Sequence, residues 1–361
     1  MSSGQSLRLE YVTPSESGSE GWHGVLGAAA FAGGTALGSG DPQADGLDFP
    51  LAHVYTPVLG EAREVLEGSR EVLEVWRAGE RAQPGCHGRV RYARAGDLLF
   101  GSIAVHETEL TSAAEPSRRR PLETATELAY REMYATLAAA GGPRLVRVWN
   151  YIPDINLDTR GLERYRQFNM ARHEASLACG HAVAGSVPAA SALGAGPGSP
   201  LTLYFLASRR PPAFIENPRQ VSSYRYPAQY GPRSPAFSRA TVLGEGSEAT
   251  LFVSGTASIV GHRTLHAGDP AAQTRETLVN IEALLEEAAR HSQARELRLE
   301  TLAYKVYVRD PKDLAVIRME LESALGADAA LLFLQADICR RDLAVEIEAV
   351  GGGGWRHNGA G

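Results

Sequence analysis

Residues 330–350 read ALLFLQADICRRDLAVEIEAV. Glu346 lies inside the alternation Leu343, Val345, Ile347, Ala349, so a strand that turns those residues toward a helix layer turns the carboxyl the other way. The preceding run, ALLFLQADIC, reads as a second strand, and the two together predict a closing hairpin with Cys339 and Glu346 on neighbouring strands. A carboxyl on the non-core face of a sheet is either solvated or part of a site.

Working upstream, DLAVIRMELESAL reads as a helix, LETLAYKVYVRD as a strand and DPAAQTRETLVNIEALLEEAARH as a long helix. Asp269 can cap that helix, Pro270 fits its first turn, and Leu278, Ile281, Leu284 and Leu285 make one apolar stripe. RATVL and ATLFVSGTASIV are strands, which completes a β-β-α-β-α-β-β unit. The first half repeats the order. GRVRYARAG and DLLFGSIAVHE read as strands, PLETATELAYREMYATLAAAG as a helix stopped at Gly141-Gly142-Pro143, and RLVRVWNYIPDI as a strand. GLERYRQFNMARHEASLACG is a second helix, with HAVAGSVPAA and LTLYFLASR as a closing hairpin.

A period of about 160 residues predicts an α/β (α+β) protein of two such units, their sheets packed around a central cleft with helices outside. The expected division is an N-terminal region of undefined fold (1–81), a first unit (82–210), a Tyr/Arg/Pro-rich connection (211–238), a second unit (239–350) and a disordered tail (351–361). Within the N-terminal region, EAREVLEGSREVLEVWRAGE is expected to be a helix carrying Val65, Leu66, Val72, Leu73 and Trp76.

At 361 residues and 44% hydrophobic, the chain can bury a substantial core. The net charge of −6 comes without a long basic run, which gives no basis for nucleic-acid binding. No apolar run reaches membrane-spanning length and the N-terminus has no signal-peptide pattern, so a cytoplasmic protein is expected. Cys86, Cys179 and Cys339 lack zinc or disulfide spacing, and neither a metal nor a cofactor is expected. Ser254-Gly255-Thr256 is not a nucleophile elbow, and His262 and His266 lack the acid of a zinc-protease motif.

Three constellations carry possible chemistry. Tyr165, Asn169 and Arg172 share one helix face, apart from Phe168 and Ala175. In YRYPAQYGPRSPAFSRA, Tyr224, Tyr226, Tyr230, Arg233 and Arg239 sit in a proline-stiffened loop, where a guanidinium can grip a carboxylate with two donors. In LAYKVYVRD, Lys305 and Arg309 lie opposite the apolar set, on the face expected for Glu346. Cations and tyrosines converging on one carboxyl suit a small ligand with several negative charges. A solvated helix face and a merely structural loop are the simpler alternatives for the first two sets.

SGTASIVGH, the D-P-x-x-Q-T helix and the closing VEIEA resemble the RidA/YjgF fold, in which the glutamate matching Glu346 is implicated in proton transfer. Imine-deaminating members carry an arginine fifteen residues before that acid; here Leu331 stands there, which disfavours imine deamination. Across most of residues 85–350, RVWNYIPDIN, YRQFNMAR, ENPRQVSSYRYPAQYGPRSPAFSRA, FVSGTASIVGH and C-RRDLAVEIEA resemble the chorismatases, which remove pyruvate from chorismate. The resemblance implies an essential Glu346. It also implies the subtype that forms 3-hydroxybenzoate, which carries a glycine and a cysteine matching Gly255 and Cys339 where the hydrolytic subtype has alanine-like residues. Chorismate then becomes the expected small-molecule partner of a monomer or small homo-oligomer. One carboxylate would be held by Arg172 with Tyr165 or Tyr226, the other by Arg233 or Arg309. The alternatives are the hydrolytic subtype, which gives a dihydroxycyclohexadiene carboxylate, and a RidA-like module that only binds a carboxylate metabolite.

Overall fold

The computed structural model describes residues 7–13, 22–33, 47–60, 71–110, 119–292 and 297–352. The N-terminal region contributes β1 (Arg8–Val12), β2 (Val25–Ala32), β3 (Leu51–Val54), β4 (Val58–Leu59) and β5 (Glu71–Arg77). Four of these form a sheet in the order β1-β5-β2-β3. The helix expected over this stretch is corrected: residues 71–77 are a strand, and residues 61–70 lie outside the described residues. Val72 through Trp76 are all buried, because this sheet is covered on both faces and the period-two signature of a half-exposed strand is lost.

The first unit runs β6 (Gln83–His87), β7 (Val90–Ala95), β8 (Leu98–Val105), α1 (Pro121–Ala139) and β9 (Arg144–Pro153). A short hairpin, β10 (Asp158–Thr159) and β11 (Leu162–Glu163), leads into α2 (Arg164–Ala178), β12 (Ala189–Ala195) and β13 (Leu201–Ser208). After β14 (Ala213–Ile215), the second unit runs β15 (Ala240–Leu243), β16 (Thr250–Thr256), a second short hairpin β17 (Ile259–Val260) and β18 (Arg263–Thr264), then α3 (Pro270–Ser292). It ends with β19 (Ala303–Val308), α4 (Leu314–Leu325), β20 (Ala330–Gln335) and β21 (Val345–Gly352). As expected, Asp269 caps α3, its Oδ1 accepting from the Ala272 N–H at 2.9 Å.

The two large sheets have the orders β12-β9-β13-β8-β7-β6 and β14-β15-β16-β21-β19-β20-β4. Both units therefore share one β-β-α-β-α-β-β connectivity. Neither ends in a hairpin, which corrects that expectation. β20 runs parallel to β19 at the far side, and β21 inserts between β16 and β19, antiparallel to both. β12, β9 and β13 repeat the arrangement. Gly351 and Gly352, expected in the tail, complete β21; residues 353–361 lie outside the described residues.

Of four apolar interiors among the described residues, one covers the outer face of the N-terminal sheet and three involve the large sheets. The stripes of α1 and α2 pack on the first large sheet, with Met133 and Phe168 against Ile103 and Phe205. Those of α3 and α4 pack on the second, with Ile281, Leu284 and Ile317 against Val306 and Ile347. The remaining sheet faces meet each other and the N-terminal sheet in one aromatic interior. There the Trp149 and Tyr204 rings stack at 4.6 Å, and Trp76 reaches Trp149 at 5.7 Å and Phe252 at 5.9 Å. The N-terminal region is thus the third wall around the space between the two units. Among the described residues no helix is long and apolar enough to cross a membrane.

Candidate active site

Where the two large sheets meet, a cavity of about 500 Å³ opens, and Glu346 lies in its wall. Its strand, β21, faces Tyr307 of β19 in register, on the side away from the helices. On the other flank β16 breaks register between Val253 and Thr256, a bulge that brings Gly255 against the Glu346 side chain. Ser254 ties the bulge down: its hydroxyl donates to the Ser238 carbonyl at 2.6 Å and accepts from the Ala190 N–H of β12 at 3.0 Å.

Glu346 is 4% exposed. Burial first, and then the negative charge of Glu348, push its carboxyl up to about 8, against the opposing pull of Arg147 and Arg309. At neutral pH this carboxyl carries a proton. Cys339 Sγ lies 3.9 Å from Glu346 Oε2. Burial, followed by Glu346, pushes the thiol up to about 12, so it is present as SH.

The opposite wall is cationic and aromatic. Arg172 of α2, 5% exposed, donates to Asn169 Oδ1 at 2.9 Å and stacks on Phe168. Arg239, 4% exposed, donates to the Tyr226 hydroxyl at 2.8 Å. Arg340 lies over the Tyr230 ring at 4.2 Å and donates to the His262 carbonyl at 2.9 Å, and Tyr230 itself donates to that carbonyl at 2.6 Å. Each of these three guanidinium groups keeps one buried N–H without a partner among the described residues: Arg172 Nε, Arg239 Nε and Arg340 Nη2. Buried donors left unpaired call for an acceptor, and a carboxylate satisfies a guanidinium best. Tyr165 also lines the cavity, and burial holds its hydroxyl protonated far above its ordinary range.

The family model described as chorismatase FkbO/Hyg5-like, N-terminal, matches residues 74–207. A chorismatase of Streptomyces rapamycinicus is 39% identical over 284 residues, spanning 77% of this chain and 81% of that protein. The chain belongs to the chorismatase family. A 3-hydroxybenzoate synthase of Streptomyces hygroscopicus is 38% identical over 309 residues, 83% of this chain and 86% of its own length. A crystal structure of a chorismatase superposes with a TM-score of 0.82 at 33% identity, covering 96% of this chain and 99% of the other.

Measured against this chorismatase framework, the residues expected in the site divide. Glu346, Cys339, Tyr165, Arg172, Tyr226, Tyr230 and Gly255 all line the one cavity, and Asn169 stands behind Arg172. Arg233 does not join them; it is exposed, outside the cavity wall. Lys305 shares the sheet face expected of it but pairs in register with Glu348, and its ammonium is buried 2.5 Å from Glu74 Oε2. Arg309 is committed elsewhere. Its five donors go to Leu343 O, Asn156, Asp337, Ile338 O and Arg340 O, which moulds the loop that carries Cys339 and Arg340. Arg239, already in the expected loop set, lines the cavity in their place, together with Arg340 of the segment C-RRD, which the sequence does not single out. The sequence offers no means of choosing among so many arginines, because the choice depends on which of them the fold brings to the cavity with a buried donor still unpaired.

Proposed function

We propose that this chain removes pyruvate from chorismate and forms 3-hydroxybenzoate. The observation that carries the reading is a buried, protonated carboxyl, Glu346, beside a thiol and a glycine in a cavity whose arginines keep unpaired donors. Chorismate brings two carboxylates to those donors. Its enol ether stays inert until its methylene carbon is protonated, and Glu346 holds the proton at the cavity wall. Protonation turns the methylene into a methyl group. The ring C–O bond then breaks with its electron pair going to oxygen, which releases pyruvate.

In the 3-hydroxybenzoate branch the neighbouring ring hydroxyl closes on the vacated carbon and gives its proton back to Glu346. The arene-oxide-like species then opens: the Cys339 SH gives its proton to the oxygen, and the thiolate so formed takes the proton lost from the ring carbon, which gives the phenol and restores the thiol. No water is consumed. In the hydrolytic branch water adds instead, and the ring keeps both oxygens as a diene diol.

Incubation with chorismate tests the reading, with pyruvate followed enzymatically and ring products resolved by chromatography. Equimolar pyruvate and 3-hydroxybenzoate are expected. A diene diol as the main product would replace the subtype, and tight binding without pyruvate would make the chain a metabolite-binding module.

A further inference from the structure

Behind Glu346 lies a second carboxylate that the reaction does not touch. Glu348, two residues on along β21 and on the same face, sits about 7 Å further along the strand. It is 3% exposed and held on several sides. Arg147 Nη2 of β9 stands 3.0 Å from Oε1, Lys305 Nζ of β19 stands 3.4 Å from Oε2, and the Trp149 indole donates to Oε2 at 2.9 Å. Lys305 in turn bridges to Glu74, a residue of the N-terminal sheet that also accepts from the Trp76 indole at 3.0 Å and the Tyr204 hydroxyl at 3.1 Å.

Two buried cations, Arg147 and Lys305, are thus matched by two buried carboxylates, Glu348 and Glu74. Each cation has a carboxylate of its own other than Glu346, and only the residual pull of Arg147 reaches that acid. The other charged or titratable groups facing Glu346 are accounted for: Tyr307 across the strand is bonded to Tyr151 and donates to Glu348 Oε1 at 3.3 Å, and Arg309 is paired with Asp337. Cys339 and Tyr165 are neutral, and Arg172, Arg239 and Arg340 belong to the opposite, ligand-facing wall.

We propose that Glu348, fixed by Arg147 and Lys305 and balanced through Lys305 by Glu74, is the positioning residue that keeps Glu346 in its proton-donating form. This rests on Glu346 being the proton donor. Glu348 is held ionised because Lys305 and Arg147 outweigh the effect of its burial, and its charge opposes a second ionisation beside it. Arg147 also donates to the Ser191 hydroxyl at 3.1 Å in the cavity wall and keeps Nη1 without a partner among the described residues. Without Glu348, the pull of Arg147 on Glu346 is no longer shared with a second carboxylate.

The test is the pH profile of kcat/KM for pyruvate release in Glu348→Gln. Its alkaline limb is expected to move down by about one pH unit or more, with the rate near pH 6 kept within a few-fold. Removing Arg147 as well, in Arg147→Met/Glu348→Gln, should return the limb toward its parental position. A uniformly lower rate with an unmoved limb would assign Glu348 a structural role only and overturn the proposal. Glu74→Gln should move the limb in the same direction by less. If neither variant folds, Arg147→Met alone decides: with Glu348 still charged and the opposing cation gone, the alkaline limb should move up, and an unmoved limb overturns the proposal. Parental pyruvate release by Glu346→Gln would instead remove the reading beneath it.

Discussion

The space above Gly255 is filled by the carboxyl of Glu346. A Cβ built at position 255 would overlap Oε1, lie 2.8 Å from Cδ and 3.2 Å from the Ser191 Cβ. In this chain the glycine makes room for the acid itself.

Gly255→Ala should therefore act on the acid. Gly255 does not need the left-handed backbone, so the fold survives and thermal stability stays within a few degrees. The displaced carboxyl should lower kcat for pyruvate release about 10- to 100-fold, the cost of roughly 1 Å of misplacement. Parental kcat together with a changed product would show that the methyl is accommodated and acts on the substrate instead.

Cys339→Ala tests the product branch. Pyruvate release needs only Glu346, so it should continue, while the product shifts from 3-hydroxybenzoate toward the dihydroxycyclohexadiene carboxylate. Chromatography of the ring products reads the ratio, and an unchanged ratio would free the thiol of any part in the rearrangement.

Glu346→Gln keeps the volume and loses the proton, so pyruvate release should fall on the order of 100-fold or more. It also has a stability signature. A carboxyl raised by folding from about 4.5 to about 8 favours the folded state below pH 4.5 and loses that advantage as pH climbs to 8. The parent should thus lose stability relative to the glutamine variant by about 1.4 kcal/mol per pH unit across that window. Chemical denaturation at pH 5 and pH 8 measures the difference.

Arginines that wait for a ligand should behave differently from those already paired. Arg172→Lys and Arg239→Lys keep the charge and lose the fork, and each is expected to raise KM about tenfold with little change in melting temperature. Arg233→Ala should leave kinetics unchanged. Arg309→Lys should loosen the Cys339 loop and lower the melting temperature. Steady-state kinetics beside thermal melts separate the three patterns.

Lys305→Met strands Glu74 in an apolar interior and leaves Glu348 to Arg147 alone. Breaking a buried pair in this way should cost about 3–5 kcal/mol of stability, measured by denaturant unfolding. A loss below 1 kcal/mol would mean that water reaches this interior.

The unit connectivity was legible because helix stripes and strand alternation are local signals, and the helix cap at Asp269 is a local event. Strand neighbours were not. Two apolar runs joined by a short loop look like a hairpin from sequence, yet β21 crosses to the other side of β19. Cys339 still meets Glu346, but from the loop over residues 336–344 instead of from an adjacent strand. The β5 strand was hidden for the opposite reason: Val72, Leu73, Val75 and Trp76 are buried on both faces, and Glu74 looks like a polar helix position until its partner 231 residues away is known. Tyr165 and Arg172 were placed on one face correctly. That this face is interior depends on the second unit, which their own sequence does not describe.

The insertion of β21 into the middle of its sheet bears on how the enzyme is made. Until that strand is synthesised, β16 and β19 have a gap between them, and no earlier element supplies the acid or the backbone partners that close it. A chain stopped before residue 345 lacks the centre of its second sheet as well as its proton donor. Truncated copies thereby lack both the proton donor for chorismate and the strand that pairs the inner edges of β16 and β19.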